Sequence, residues 1–133
     1  MKFHPVFRPG AWWLKFRQKF GHGLQVAYYR DHVRPRILRT NPVPGLNDDA
    51  AEVHVLTSKQ DWLNLIWALK SFYAHSGHPF RLVIHEDGTL PAEGEAHLQA
   101  HFPEARLVTR KESDTAVFEA LKDYPRCLQF RQT

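Results

Sequence analysis

One cysteine, Cys127, stands among the 133 residues, which excludes an internal disulfide and leaves no mark of an oxidising compartment. No apolar run approaches the ~18–20 residues that a transmembrane helix requires. The opening Met1-Lys2-Phe3-His4-Pro5 lacks the apolar stretch and small-residue cleavage site of a secretory leader. A cytoplasmic location is the resulting expectation. There is no Gly-x-x-x-x-Gly-Lys loop and no Gly-x-Gly-x-x-Gly turn to cradle phosphates. Acid is scarce at one end: residues 1–40 hold Asp31 alone against nine Lys/Arg, while the remainder hold thirteen acidic and nine basic side chains. The pI of 9.4 therefore describes a basic arm, not a basic domain.

What is present is the texture of a globular protein, with 43% hydrophobic and 24% charged residues. The length suits one domain with a real core. Residues 1–49 read as a basic, aromatic, proline-containing arm and linker, and residues 50–133 as an α/β domain. In the arm, a helix is expected from Ala11 to Phe20. At about 100° per residue, Trp12, Trp13, Phe16 and Phe20 share one sector, with Lys15, Arg17 and Lys19 at its margins. Gly21 and Gly23 interrupt it, a short helical turn follows over Leu24–Tyr29, and Arg34-Pro35-Arg36 and Asn41-Pro42-Val43-Pro44-Gly45 read as linker.

Val53-His54-Val55-Leu56-Thr57 is a β-branched run too apolar for a one-sided strand, so it reads as a buried one. Ser58-Lys59-Gln60-Asp61 has the spacing of a helix start, and Trp62, Leu65, Ile66, Leu69 and Tyr73 then keep helical period up to Gly77. Phe80–His85 is a second strand, closed by Glu86-Asp87-Gly88-Thr89. A helix from Pro91 to about Phe102, a weak strand over Ala105–Thr109 and a helix over Glu112–Lys122 burying Val117, Phe118 and Leu121 complete the series. Tyr124-Pro125 breaks this last helix. The alternation predicts a parallel sheet with right-handed crossovers, flanked by helices.

In open parallel sheets, ligands sit beyond the carboxyl ends of the strands. Two such ends are readable: Thr57-Ser58, with Lys59 and Asp61 nearby, and Glu86-Asp87-Gly88-Thr89. A carboxylate there can accept from a base imide or ribose hydroxyls, and Gly88 lets the backbone turn tightly. The same tetrapeptide is also ordinary turn chemistry. His97 and His101 lie four apart on one helix face without a third ligand in pattern, and read as two solvent-facing histidines rather than a metal site. Cys127 has no base at a telling spacing and reads as a packing residue. The arm has three readings: a helix on an anionic membrane surface, a docking helix, or a nucleic-acid contact, against which the acidic domain argues.

Val53–Ser58, then Leu69-Lys70-Ser71-Phe72, then Leu82-Val83-Ile84-His85-Glu86-Asp87-Gly88-Thr89 together resemble the opening of a GT-A glycosyltransferase. Phe102-Pro103-Glu104-Ala105-Arg106 and Tyr124-Pro125-Arg126-Cys127 are similar to bacterial proteins of that class. The resemblance covers about residues 52–133. It implies a Rossmann-like β-α-β-α-β-α half of a GT-A domain that takes a nucleotide sugar, UDP-sugars among them. It implies that Thr57 lines the nucleotide pocket, that Asp87 faces the base, and that Gly88 and Thr89 hold the turn; Ser58, at the same strand end as Thr57, is a further candidate for that rim. Glu86 stands where the family has its first Asp. The full-length relative would employ Mg or Mn, but the Asp-x-Asp metal motif and the catalytic base are not found here, so no cofactor and no turnover are expected of this chain alone. A truncated or split product, completed by a carboxyl-terminal partner half, is the corresponding expectation.

Overall fold

The computed structural model describes residues 9–132. The five residues read above for a leader lie outside the described residues. The chain divides between Ile37 and Leu38 into two compact units.

In the first unit, α1 spans Pro9–Phe20, starting two residues before the expected helix, with proline where its missing N–H leaves no bond unmade. Gly23 turns the chain at φ 95°, and α2 follows over Leu24–Tyr28. A π-type turn, Tyr29–Val33, and a 3-10 turn, Arg34–Arg39, continue the helical path. The expected break at Arg34-Pro35-Arg36 is therefore corrected. Pro35 is the second residue of its turn, an opening position that tolerates a residue without an N–H.

In the second unit, β1 (Asp48–Thr57), β2 (Phe80–Glu86) and β3 (Arg106–Val108) form a parallel sheet in the order β1-β2-β3. The register pairs Val53 with Leu82, Val55 with Ile84 and Thr57 with Glu86. β2 in turn pairs Ile84 with Leu107. The connecting helices are α3 (Trp62–Ser76) and α4 (Ala92–His101). Strands added in one direction with right-handed crossovers put both helices on one face of the sheet, and the two helices do touch: Trp62 stacks on His97 at 5.6 Å, above Gly94. Leu63, Ile66 and Leu69 of α3, Leu82 and Ile84 of β2, Leu98 of α4 and the adjoining Phe102 are buried. Gly77 ends α3 in the left-handed conformation at φ 67°, as its sequence predicts.

β1 is not the doubly covered strand that its composition suggested. It is a sheet edge, its side chains alternate between covered and exposed, and Leu56 is 72% exposed. The stretch expected as a linker runs along this unit. Val43 N–H donates to the His101 carbonyl (2.8 Å), Gly45 N–H to Glu104 Oε1 (3.0 Å), and Leu46 is buried. Beyond β3, α5 (Arg110–Leu121) starts at an N-cap, Thr109, whose hydroxyl accepts from Glu112 N–H. Its Val117, Phe118 and Leu121 are only half-buried, contrary to the expected inward face. Tyr124-Pro125 does break the chain direction, but Pro125 opens a further helix, α6 (Pro125–Gln132). Cys127 on it is exposed, so the packing role expected for it is corrected. Among the described residues no helix is long and apolar enough to cross a membrane.

Candidate functional site

The parallel register brings the carboxyl ends of β1 and β2 together. Thr57 is opposite Glu86, and Asp87 N–H donates to the Thr57 carbonyl at 3.2 Å. The loops after the two strands are also tied side to main chain: Lys59 N–H donates to Thr89 Oγ1 at 3.1 Å. Between them lies a shallow crevice of about 610 Å³, lined by Ser58, Lys59, Gln60, Asp87 and Thr89.

The Asp87 loop is a self-bonded turn. Asp87 Oδ1 accepts from Thr89 N–H (2.9 Å) and from Thr89 Oγ1 (2.6 Å). The Thr89 side chain, its amide and the nearby Arg110 hold the Asp87 carboxyl below its ordinary range, against a smaller opposing effect of desolvation. Gly88 between them has φ 90°. Glu86 is committed elsewhere: its Oε2 accepts from Gly88 N–H (2.5 Å) and its Oε1 from Arg110 N–H (2.6 Å), so one carboxylate braces the loop and caps the first turn of α5. The side chain of Arg110 reaches back to the Asp87 carbonyl at 3.3 Å.

At the β1 end, Ser58 Oγ donates to Asp61 Oδ2 (3.0 Å) and accepts from Gln60 N–H (3.3 Å). The expected capping box takes this other form. α3 begins only at Trp62, and its N-cap Asp61 makes no side-chain cap. Thr57 is 2% exposed, and its hydroxyl is buried with no hydrogen-bond partner. Thr57 is therefore not among the residues that line the crevice, and at the β1 end the hydroxyl that lines it is that of Ser58.

These carboxylates do not fit a divalent cation. Both Glu86 oxygens are engaged by amides, Asp87 Oδ1 by Thr89, and no cluster of three His, Cys, Asp or Glu suited to a metal occurs among the described residues. The histidine pair on α4 also differs from expectation: His97 stacks on Trp62, while His101 is buried rather than solvent-facing. Burial first, then the nearby Lys70 and His97, lowers the pKa of His101; the Leu38 backbone acts the other way, more weakly.

No family model, curated protein or solved structure matches this chain.

A second recess escaped the sequence reading. On the other face of the sheet, a groove of about 590 Å³ is lined by Glu52, His54, Val83, His85 and Val108, with Val117 of α5 among its walls. His54 Nδ1 lies 3.0 Å from His85 Nε2, and His54 Nε2 lies 3.0 Å from Glu52 Oε2. Strand parity holds the signal: positions 52 and 54 share a face, and the register sets His54 opposite Val83, diagonal to His85.

Proposed function

We propose that the sheet-bearing unit holds the nucleoside diphosphate of a nucleotide-sugar donor between the loops after β1 and β2, as the donor-binding portion of a GT-A-type glycosyltransferase. The observation that supports this reading is the joining of the two loop tips, Asp87 N–H to Thr57 carbonyl and Lys59 N–H to Thr89 Oγ1, at the carboxyl edge of a parallel sheet. In this reading the ionised Asp87 accepts from the imide of a base or from ribose hydroxyls. Ser58 adds a hydroxyl, and Lys59 with the amino end of α3 supplies positive potential for the diphosphate. The proposed role is binding, not turnover.

Titrating the labelled protein with UDP tests it. Amide shifts should centre on Ser58, Lys59, Gln60, Asp87 and Thr89, with dissociation in the millimolar range. Asp87→Asn keeps an oxygen for the Thr89 bonds but removes the charge, and should weaken binding by roughly tenfold. Shifts confined to other surfaces, or no shifts at all, would count against donor binding.

A further inference from the structure

A separate surface, independent of the donor crevice, carries its own chemistry. α1 presents Trp12, Trp13 and Phe16 to solvent, at 61%, 59% and 45% exposure. Trp12 and Trp13 each lie 5.8 Å from the Phe16 ring, and Phe16 lies 4.9 Å from Phe20, so the four rings form one continuous wedge. At about 100° per residue this wedge covers close to a third of the helix circumference. Lys15 and Lys19 border it on one side and Arg17 on the other. The helix contains no acidic residue.

The surrounding charge has one sign. Residues 1–37 hold eight Lys/Arg against Asp31. That single acid is engaged by Arg30 at 2.8 and 3.2 Å and lies 3.9 Å from Lys19. We propose that α1 is an interfacial helix that docks this protein on an anionic lipid surface.

The division of labour follows from side-chain chemistry. Indole and phenyl rings enter the boundary between headgroups and acyl chains, where an apolar body with a polar edge is best solvated. The flanking Lys and Arg stems lie along the apolar boundary and deliver their charges to lipid phosphates. A nucleic-acid contact would instead centre its cations on the face and leave them in register with a phosphate ladder. Here the rings hold the centre and the cations the edges. The occupant that matches is a phosphate-bearing bilayer.

Flotation of the full chain with two vesicle types tests the proposal: equal parts phosphatidylcholine and phosphatidylglycerol, and phosphatidylcholine alone. The protein should float with the anionic vesicles, lose much of that binding at high salt, and bind the neutral ones weakly. Trp12→Ala/Trp13→Ala should lower partition by at least about tenfold. Lys15→Gln/Lys19→Gln should lower it by roughly fivefold per cation, on anionic vesicles only. All four side chains are exposed, so the circular dichroism should not change, and brominated lipid should quench tryptophan emission in the wild type but not in the double-alanine chain. Protein left at the bottom of the gradient with both vesicle types would overturn the proposal. So would undiminished flotation of the double-alanine chain, or binding to duplex DNA or RNA without flotation.

Discussion

Gly88 meets two demands at once. Its φ of 90° lies where an L side chain is strained, and a Cβ there would sit 2.9 Å from Cδ of Arg110. The arginine tip can yield, but the backbone cannot, so Gly88→Ala should cost about 1–2 kcal/mol. A urea titration would register this as a lower midpoint with unchanged slope, and an unaltered midpoint would mean that the turn relaxes freely. Asp87-Gly88-Thr89 was legible as a turn because its chemistry is local: an acid that bonds two residues ahead, and a glycine between. Glu86 was not, because its second partner, the Arg110 amide, is 24 residues away and becomes a neighbour only once β3 has been laid beside β2. Thr57 is a different case. Its position at a strand end was readable, but which way its hydroxyl turned depends on which sheet face the helices cover.

At the scale of elements, the joint between α3, α4 and the segment after Leu38 is where acid should tell. Lys70 Nζ donates to Thr40 Oγ1 (2.7 Å) and the Asn41 carbonyl (2.5 Å), and its pKa is lowered by burial. The neighbouring His101, buried and facing Lys70 from α3 and His97 from its own helix, also has a lowered pKa. The folded chain thus binds the His101 proton less readily than the unfolded chain does. Its contribution to stability is complete above the ordinary histidine pKa of about 6.5 and is lost as pH falls from there through the folded value. Urea midpoints should therefore drop between about pH 7 and pH 5. Lys70→Met, which removes a like charge beside His101, should make that drop shallower while lowering the midpoint at neutral pH. An equal drop in both chains would show that Lys70 does not act on His101. Element order, type and parallel pairing were legible here because α3 and β2 have strong periods and clear stops at Gly77 and Gly88. The edge position of β1 was not. A run such as Val53–Thr57 reads the same whether one side of it is paired or both, since composition records apolarity and not neighbours. The helical path through Pro35 was missed because a proline excludes an interior helical position but not the opening of a tight turn.

Across the whole molecule, charge and core are segregated along the chain. Residues 1–37 hold eight basic side chains and one acid, whereas residues 38–133 hold ten basic and thirteen acidic ones. The large buried side chains of the sheet layer, Ile66, Leu82, Ile84, Leu98 and Phe102, all follow Leu38, as do the Lys70 and Gly45 hydrogen bonds that fasten the entering segment. In the first unit Ala27 and Ile37 are buried. A chain starting at Leu38 is therefore expected to keep the parallel sheet and a single cooperative urea transition, since none of the side chains that make the sheet layer is removed. Its net charge would change sign, so it should bind an anion exchanger at neutral pH where the full chain, at +4, does not. It should still show the UDP-dependent shifts at Asp87 and Thr89, and it should no longer float with anionic vesicles. A broad, non-cooperative transition in the shortened chain would show that the sheet layer draws its stability from residues before Leu38. Flotation that survived the truncation would move the lipid contact away from α1 and onto the acidic unit, where the charge balance gives no reason to expect it.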